Sequence, residues 1–306
     1  MSGPPAEQLT RRDVHPVPLV DGRPAPNGAA ARLRRRIQRF LSSQPEREEA
    51  QLERRIRAQP AVTRPNTIAL ISPKGGVGKT TSTFVAGNLL ATHLKLRAIA
   101  VDANPDFGTL ARLAPDGQRS SRSLADLLDD IDRLSTAAEL GQYVSRLPTG
   151  LHVLGAPRDA EQTARLGPER YGELIAFLSM FYEVVLLDLG TGVAGPLARF
   201  AIERADQVVL VTTPEWVTSS LVLEALSYVR HERTTVVINK SRLGSAAVNA
   251  IEDRFRAQHL HRAVTIPHDD ALAAMLDSGT YALEALDQRT RFAIKRLGLA
   301  VADQLV

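Results

Sequence analysis

The sequence predicts a doubly wound α/β fold with a mostly parallel sheet of about seven or eight strands. Two observations carry this. The first is the stretch Thr67 to Thr83, TIALISPKGGVGKTTST, where a β-rich apolar run passes into a glycine loop and then a helical pattern (Phe84, Val85, Leu89, Leu90). The second is a series of further apolar runs, at 97–102, 183–188, 207–213 and 234–239, with helical spacing between them. They lack polar alternation, as strands buried on both faces do. Asp102, Asp188 and Asn239 stand at the ends of three of these runs. The carboxyl ends of parallel strands are where such sheets hold ligands.

Composition narrows the function. The chain has 306 residues, 44 % of them apolar, enough for one large domain of this class or two small ones. It has no cysteine, which excludes disulfides, iron–sulfur clusters and thiolate zinc sites. No apolar run approaches the ~18 residues of a membrane-spanning helix, and the N-terminus has no hydrophobic signal core, so a cytoplasmic protein is expected. Residues 1–65 hold thirteen arginines and seven acids, a net of +6, while the whole chain is +4. The basic character is therefore expected in the N-terminal segment.

Taken in order, residues 1–29, with Pro4, Pro5, Pro16, Pro18, Pro24 and Pro26, read as a disordered tail. Residues 30–59 read as a basic helical extension. Leu33, Ile37, Phe40 and Leu41 recur there at helical spacing among Arg34, Arg35, Arg36 and Arg39. The following stretch, Glu46 to Ala58, is charged almost all round. It reads as a solvated helix, or as a docking element for a partner, nucleic acid or acidic lipid. Residues 60–65 read as a linker, and 66–306 as the main domain.

The glycine loop has the chemistry of a phosphate cradle. Gly75, Gly76 and Gly78, with Val77 among them, let backbone N–H groups turn onto phosphate oxygens. The first turn of the next helix, through Thr81, adds unpaired N–H groups and the positive end of its dipole. Lys79 reaches the β- and γ-phosphates, and the Thr80 hydroxyl ligates Mg²⁺. Pro73 stands where the general phosphate-loop pattern has its first glycine, and a second lysine, Lys74, opens the loop. The chain has only five lysines (74, 79, 95, 240, 295) against thirty-three arginines. Two of them sit in this loop, where a slim ammonium fits between phosphates better than a guanidinium.

Lys74-Gly75-Gly76-Val77-Gly78-Lys79-Thr80 resembles the deviant Walker A box of the ParA/MinD ATPases, and the resemblance extends over about 65–306. It implies a P-loop fold of the SIMIBI type, ATP and Mg²⁺ as cofactors, and hydrolysis of ATP to ADP and phosphate. It also implies a homodimer closed on ATP, with Lys74 of each subunit reaching the other's nucleotide. Asp102-Ala103-Asn104-Pro105-Asp106-Phe107-Gly108-Thr109-Leu110 is similar to switch I, usually written Asp-x-Asp, and places Asp102 near Mg²⁺. The second acid is Asn104 here, and an amide can hold a water but cannot act as a base. Hydrolysis is then slow and positional, or Asp102 or Asp106 takes the role.

Asp188-Leu189-Gly190-Thr191-Gly192 is similar to the second phosphate-sensing element. There Asp188 would hold a water of the Mg²⁺ shell and the Gly190 N–H would feel the γ-phosphate; Thr191 and Gly192 make the turn looser than the proline of many relatives. By the same resemblance Asn239 reads the adenine edge, and Ile266-Pro267-His268-Asp269 puts Pro267 beside the base. Residues 101–105 with 108–110 look most like actinobacterial MinD-like ATPases, including members attached to type VII secretion systems. The implied partners are an activator or cargo protein docking through the N-terminal extension, and a matrix. Non-specific DNA on Arg230, Arg233, Arg254, Arg256 and Arg262 is one matrix; a membrane surface is the alternative.

The remaining stretches supply scaffold. One or two surface helices are expected across 121–147, and a short strand at 151–155 in which His152 is structural. Helices are expected at 167–181, with Leu174, Phe177 and Leu178 inward, and at 217–229. The last, 287–306, reads as closing the sheet rather than lying on a membrane. Two other functions stand beside the switch: an ATP-using small-molecule enzyme of the same fold, and a nucleotide-bound scaffold that does not hydrolyse, motivated by Asn104.

Overall fold

The apolar runs become strands because both faces of the sheet are covered. These are β1 (Asn66–Ile71), β2 (Ala98–Ala103), β3 (Val144–Arg146), β4 (His152–Leu154), β5 (Val184–Leu189), β6 (Gln207–Thr212), β7 (Thr234–Ser241) and β8 (Ala263–Pro267). The computed structural model describes residues 47–104 and 108–306. The expected tail at 1–29, the arginine-rich stretch at 30–42 and Asp106 lie outside the described residues. The strands form one sheet in the order β3-β4-β2-β5-β1-β6-β7-β8. Every pairing is parallel except β3 with β4. β1, β2, β5 and β6 are buried along their whole length.

Helices cover the two faces. In chain order they are α1 (47–57), α2 (Lys79–His93), α3 (Leu124–Asp130), α4 (Ala137–Leu140), α5 (Ala160–Ala164), α6 (Pro168–Leu178), α7 (Pro196–Arg204), α8 (Trp216–Ala225), α9 (Ser245–Arg256), α10 (Asp270–Ser278) and α11 (Gln288–Ala302). Successive residues of β1 serve opposite cores. Ile68 and Leu70 pack with α1, α2, α10 and α11, while Ala69 and Ile71 pack with α3, α6, α7 and α8. Leu174, Phe177 and Leu178 of α6 point inward as expected.

The stretch 121–147 holds two short α-helices, as expected, each started by a capping box (Ser123 with Asp126, Thr136 with Glu139). Val144, expected on a helix, lies in β3, which covers the outer edge of β4 in antiparallel register. Lys295 of α11 is 1 % exposed. It is buried because its ammonium donates to Glu49 at 2.6 Å and to Glu53, both on α1, while Arg291 donates to Glu49 at 2.6 Å. α1, charged almost all round in sequence, also buries Leu52 and Ile56. α11 closes the fold as expected: Ile294, Leu297 and Val301 are buried. Gly298 lets Leu89 of α2 approach so closely that a Cβ there would lie 2.3 Å from it.

Candidate nucleotide site

β1 lies at the centre of the sheet, with β5 on one side and β6 on the other, so the loop after it opens at the crevice of a doubly wound sheet. Gly76 (φ 73°) and Gly78 (φ 98°) adopt left-handed backbone that side chains resist. At Gly78 space is closed as well, since a Cβ would stand 2.0 Å from Asn239 Nδ2. That nitrogen donates to the Val77 carbonyl at 3.0 Å, and Lys240 Nζ donates to the Gly76 carbonyl at 2.8 Å. The end of β7 thus holds the loop by its carbonyls. α2 starts without a side-chain cap. Ser82 N–H donates to the Gly78 carbonyl at 2.9 Å, so the N–H groups of Lys79, Thr80 and Thr81 stand ahead of the helix ladder, where an anion is favoured.

The two loop lysines differ in setting. Lys74 is exposed; Lys79 is half-buried, and burial lowers its pKa against the opposing attraction of Asp188. Thr80 Oγ1 donates to Asp188 Oδ2 at 2.7 Å. Asp188 is 2 % exposed, and its Oδ1 has no hydrogen-bond partner. Burial pushes this carboxyl up to about 7, with the Thr80 hydroxyl pulling the other way. A threonine hydroxyl and a carboxylate with one unsatisfied oxygen make an all-oxygen donor set, and such a set suits Mg²⁺.

Asp102 is the register partner of Asp188 across β2 and β5. Its carboxyl accepts from Leu110 N–H at 2.9 Å and from Asn104 N–H at 3.4 Å, and burial raises it to about 6. Gly108 packs on it so tightly that a Cβ would be 2.3 Å from Oδ2. Asp102 therefore holds the backbone of Asn104 and of Leu110. The turn after β5 is joined to the glycine loop: Gly192 N–H donates to the Ser72 carbonyl at 2.9 Å, and Ser72 Oγ donates to the Lys74 carbonyl at 2.8 Å. A Cβ on Gly75 would be 3.5 Å from Thr191 Oγ1, so the residue after Gly190 stands next to the loop.

Pro267 stands one strand further out, opposite Ser241, on a groove of about 540 Å³ with Arg242, Leu243 and Arg289. The expected arginine surface is partly engaged elsewhere. Arg256 pairs with Glu252 and Asp253, Arg254 lies 4.0 Å over the Trp216 ring, and Arg262 donates to the Glu232 carbonyl. His152 is structural, 2.8 Å from the Tyr182 hydroxyl. Sequence reasoning missed Lys240 as a loop holder; its signal was there, a rare lysine at a strand end.

Residues 68–281, which include the loop, both aspartates and Asn239, match the model of the CobQ/CobB/MinD/ParA nucleotide binding domain. The chain belongs to this family. Its members include nucleotide-binding ATPases. The ESX-1 secretion-associated protein EspI of Mycobacterium tuberculosis is 30 % identical over 268 residues, 84 % of this chain but 39 % of EspI, so the chain spans well under half of that relative. A ParA family ATPase from Chlorobium tepidum TLS superposes with a TM-score of 0.63 at 24 % identity, over 75 % of this chain and 97 % of that one. The septum site-determining protein MinD complexed with Mg-ADP from Pyrococcus horikoshii OT3 gives 0.59 at 20 % identity, over 76 % and 94 %. These likenesses bear out the expected ParA/MinD fold. No helix among the described residues is long and apolar enough to cross a membrane.

Proposed function

We propose that this chain is an ATP-dependent dimerising switch that positions or recruits a cargo or a secretion component, with slow hydrolysis that a partner protein stimulates. The observation that carries this is the contrast between two lysines of one loop, Lys79 half-buried beside Asp188 and Lys74 exposed on the outer flank. An ammonium outside its own phosphate site is available to a nucleotide held by a second subunit. It gains from that contact when the γ-phosphate supplies charge, so nucleotide state is coupled to dimerisation.

The N–H groups from Gly75 to Thr81 would hold the phosphate oxygens, and Lys79 would neutralise them. Thr80 directly and Asp188 through water would hold Mg²⁺, which neutralises phosphate charge and orients the γ-phosphate. Gly190 would sense that phosphate from the neighbouring turn and Pro267 would lie beside the base, while Asn239, whose amide is taken up by Val77 and Lys240, would hold the loop in place. Asn104, its backbone held by Asp102, would orient a water without taking its proton, so unstimulated turnover is slow. Similarity to EspI over most of this chain supports a secretion-linked cargo, with the extension ahead of α1 as the docking element.

Phosphate release from ATP–Mg²⁺ tests the chemistry. Slow release by the wild type, lost in Lys79→Ala, is expected. ATP binding without any release, with or without partner, would favour the non-hydrolysing scaffold that Asn104 suggests.

A further inference from the structure

β8 is the last strand at one end of the sheet, and among the described residues it pairs with β7 alone. The Arg262 carbonyl accepts from Val236 N–H at 2.8 Å, and His268 N–H donates to the Ser241 carbonyl at 2.8 Å, both across to β7. Backbone groups alternate sides along a strand, so those of Ala263 and Thr265 face away from the sheet. Pro267, with no N–H to offer, ends the run. Edges are ordinarily hidden under a helix or loop, because their open groups recruit other chains.

This edge lies beside a trench instead. A groove of about 560 Å³ runs along Arg262, Ala263 and Val264, lined on its apolar side by Leu52 of α1 and by Phe292 and Leu299 of α11. A second, of about 540 Å³, continues past Thr265 and Pro267. Phe292 and Arg296 line both, so one track follows the strand edge.

Charge along the track decides the occupant. Arg262 and Arg296 donate to the carbonyls of Glu232 and Ala263, contacts that neutralise no charge, and Arg289 joins them toward Pro267. Of the acids, Asp303 faces Arg55 at 3.5 Å and Glu252 faces Arg256 at 3.1 Å. That leaves Glu48 against three arginines and His261, which favours an acidic occupant. A second copy would bring these arginines against themselves, and the chain's own residues 30–42 are rich in arginine as well. A phosphate polymer would meet the arginines but match neither the strand edge nor the apolar side of the groove.

We infer that the outer edge of β8 docks an extended acidic segment of a partner protein, whose backbone pairs with Ala263 and Thr265. Its alternate apolar side chains enter the groove beside Phe292 and Leu299, and its carboxylates meet Arg262 and Arg296. The Arg296 guanidinium, 3.3 Å from the Ala263 carbonyl, gives up that contact and turns to a carboxylate. This docking needs neither nucleotide nor a second copy, so it stands apart from the dimerising switch.

The probe is a fluorescently labelled peptide of alternating glutamate and valine, titrated into the full chain and read by anisotropy. It saturates, and hydrogen exchange at the Ala263 and Thr265 amides slows. Methylating one set of its alternate backbone nitrogens weakens binding roughly tenfold or more, while methylating the other set does not, because only one edge of the peptide is paired. The double variant Arg262→Glu with Arg296→Glu melts as wild type does and loses the peptide by a similar factor. No saturation up to about 1 mM, or methylated peptides that all bind as tightly as the parent, would overturn the inference. So would a DNA duplex that displaces the peptide and slows no exchange on β8, which would reassign these arginines to phosphate.

Discussion

Gly78 shows how little latitude the phosphate loop has. Its φ of 98° is strained for any side chain, and the amide that fills the space behind it also holds the Val77 carbonyl. Gly78→Ala must give up either the turn or the Asn239 contact. Left-handed strain alone costs about 1–3 kcal/mol, so nucleotide affinity should fall by about tenfold or more, with a lower melting temperature. Titration with labelled ATP and a thermal melt check this; unchanged affinity would mean that the loop is not the phosphate site. The glycines were legible because the local order of strand, glycines and helix carries its own physics. The Asn239 bond to Val77 was not, because it joins residues 162 apart and depends on how β7 lies beside the loop. Scarcity of lysine was the one local clue: of five, Lys74 and Lys79 sit in the loop, Lys240 bonds it, and Lys295 is buried.

At the scale of elements, α1 is fastened to α11 by the Glu49, Glu53, Arg291 and Lys295 cluster. Burial pushes the Glu49 carboxyl up, but hydrogen bonds from Arg291 and Lys295 outweigh it; for Glu53 the Lys295 hydrogen bond dominates, and both end below the ordinary 4.5. A depressed carboxylate stabilises the fold above the unfolded value and ceases to as pH falls through the folded one. The melting temperature should therefore drop as pH falls below about 4.5, and less steeply in Glu49→Gln. His93, pushed below its ordinary value by burial and then by Lys295, adds an acid-side loss that begins near 6.5. Removing Lys295 leaves Glu49 with Arg291 and Glu53 with the exposed Arg57 alone, so Lys295→Ala should cost about 3 kcal/mol in a denaturant titration. A near-neutral effect would show that α1 contributes no stability through this cluster. Long strands such as β5 were legible as apolar runs. β3, three residues long, was not, because its burial depends on β4 beside it. Nor was the burial of Lys295, whose acids lie 242 and 246 residues away.

For the whole molecule, the sheet order explains the site. β1 in the centre, with β2 and β5 on one side and β6 to β8 on the other, gathers the loop, Asp102, Asp188 and Asn239 at one edge. This much was legible, since it follows from parallel strands ending in polar residues. Pro267 was placed by resemblance alone, and the sheet sets it a strand beyond Asn239. Lys74 is exposed on the loop, and in the proposed switch it would reach a second subunit's nucleotide. Solution mass by light scattering is the direct measurement, with ATP–Mg²⁺, with ADP, and for Lys74→Ala with ATP–Mg²⁺. A mass that doubles for the wild type with ATP alone, and stays single in the other two, is the predicted result. A single mass in all three while ATP is bound, or doubling that Lys74→Ala retains, would contradict it.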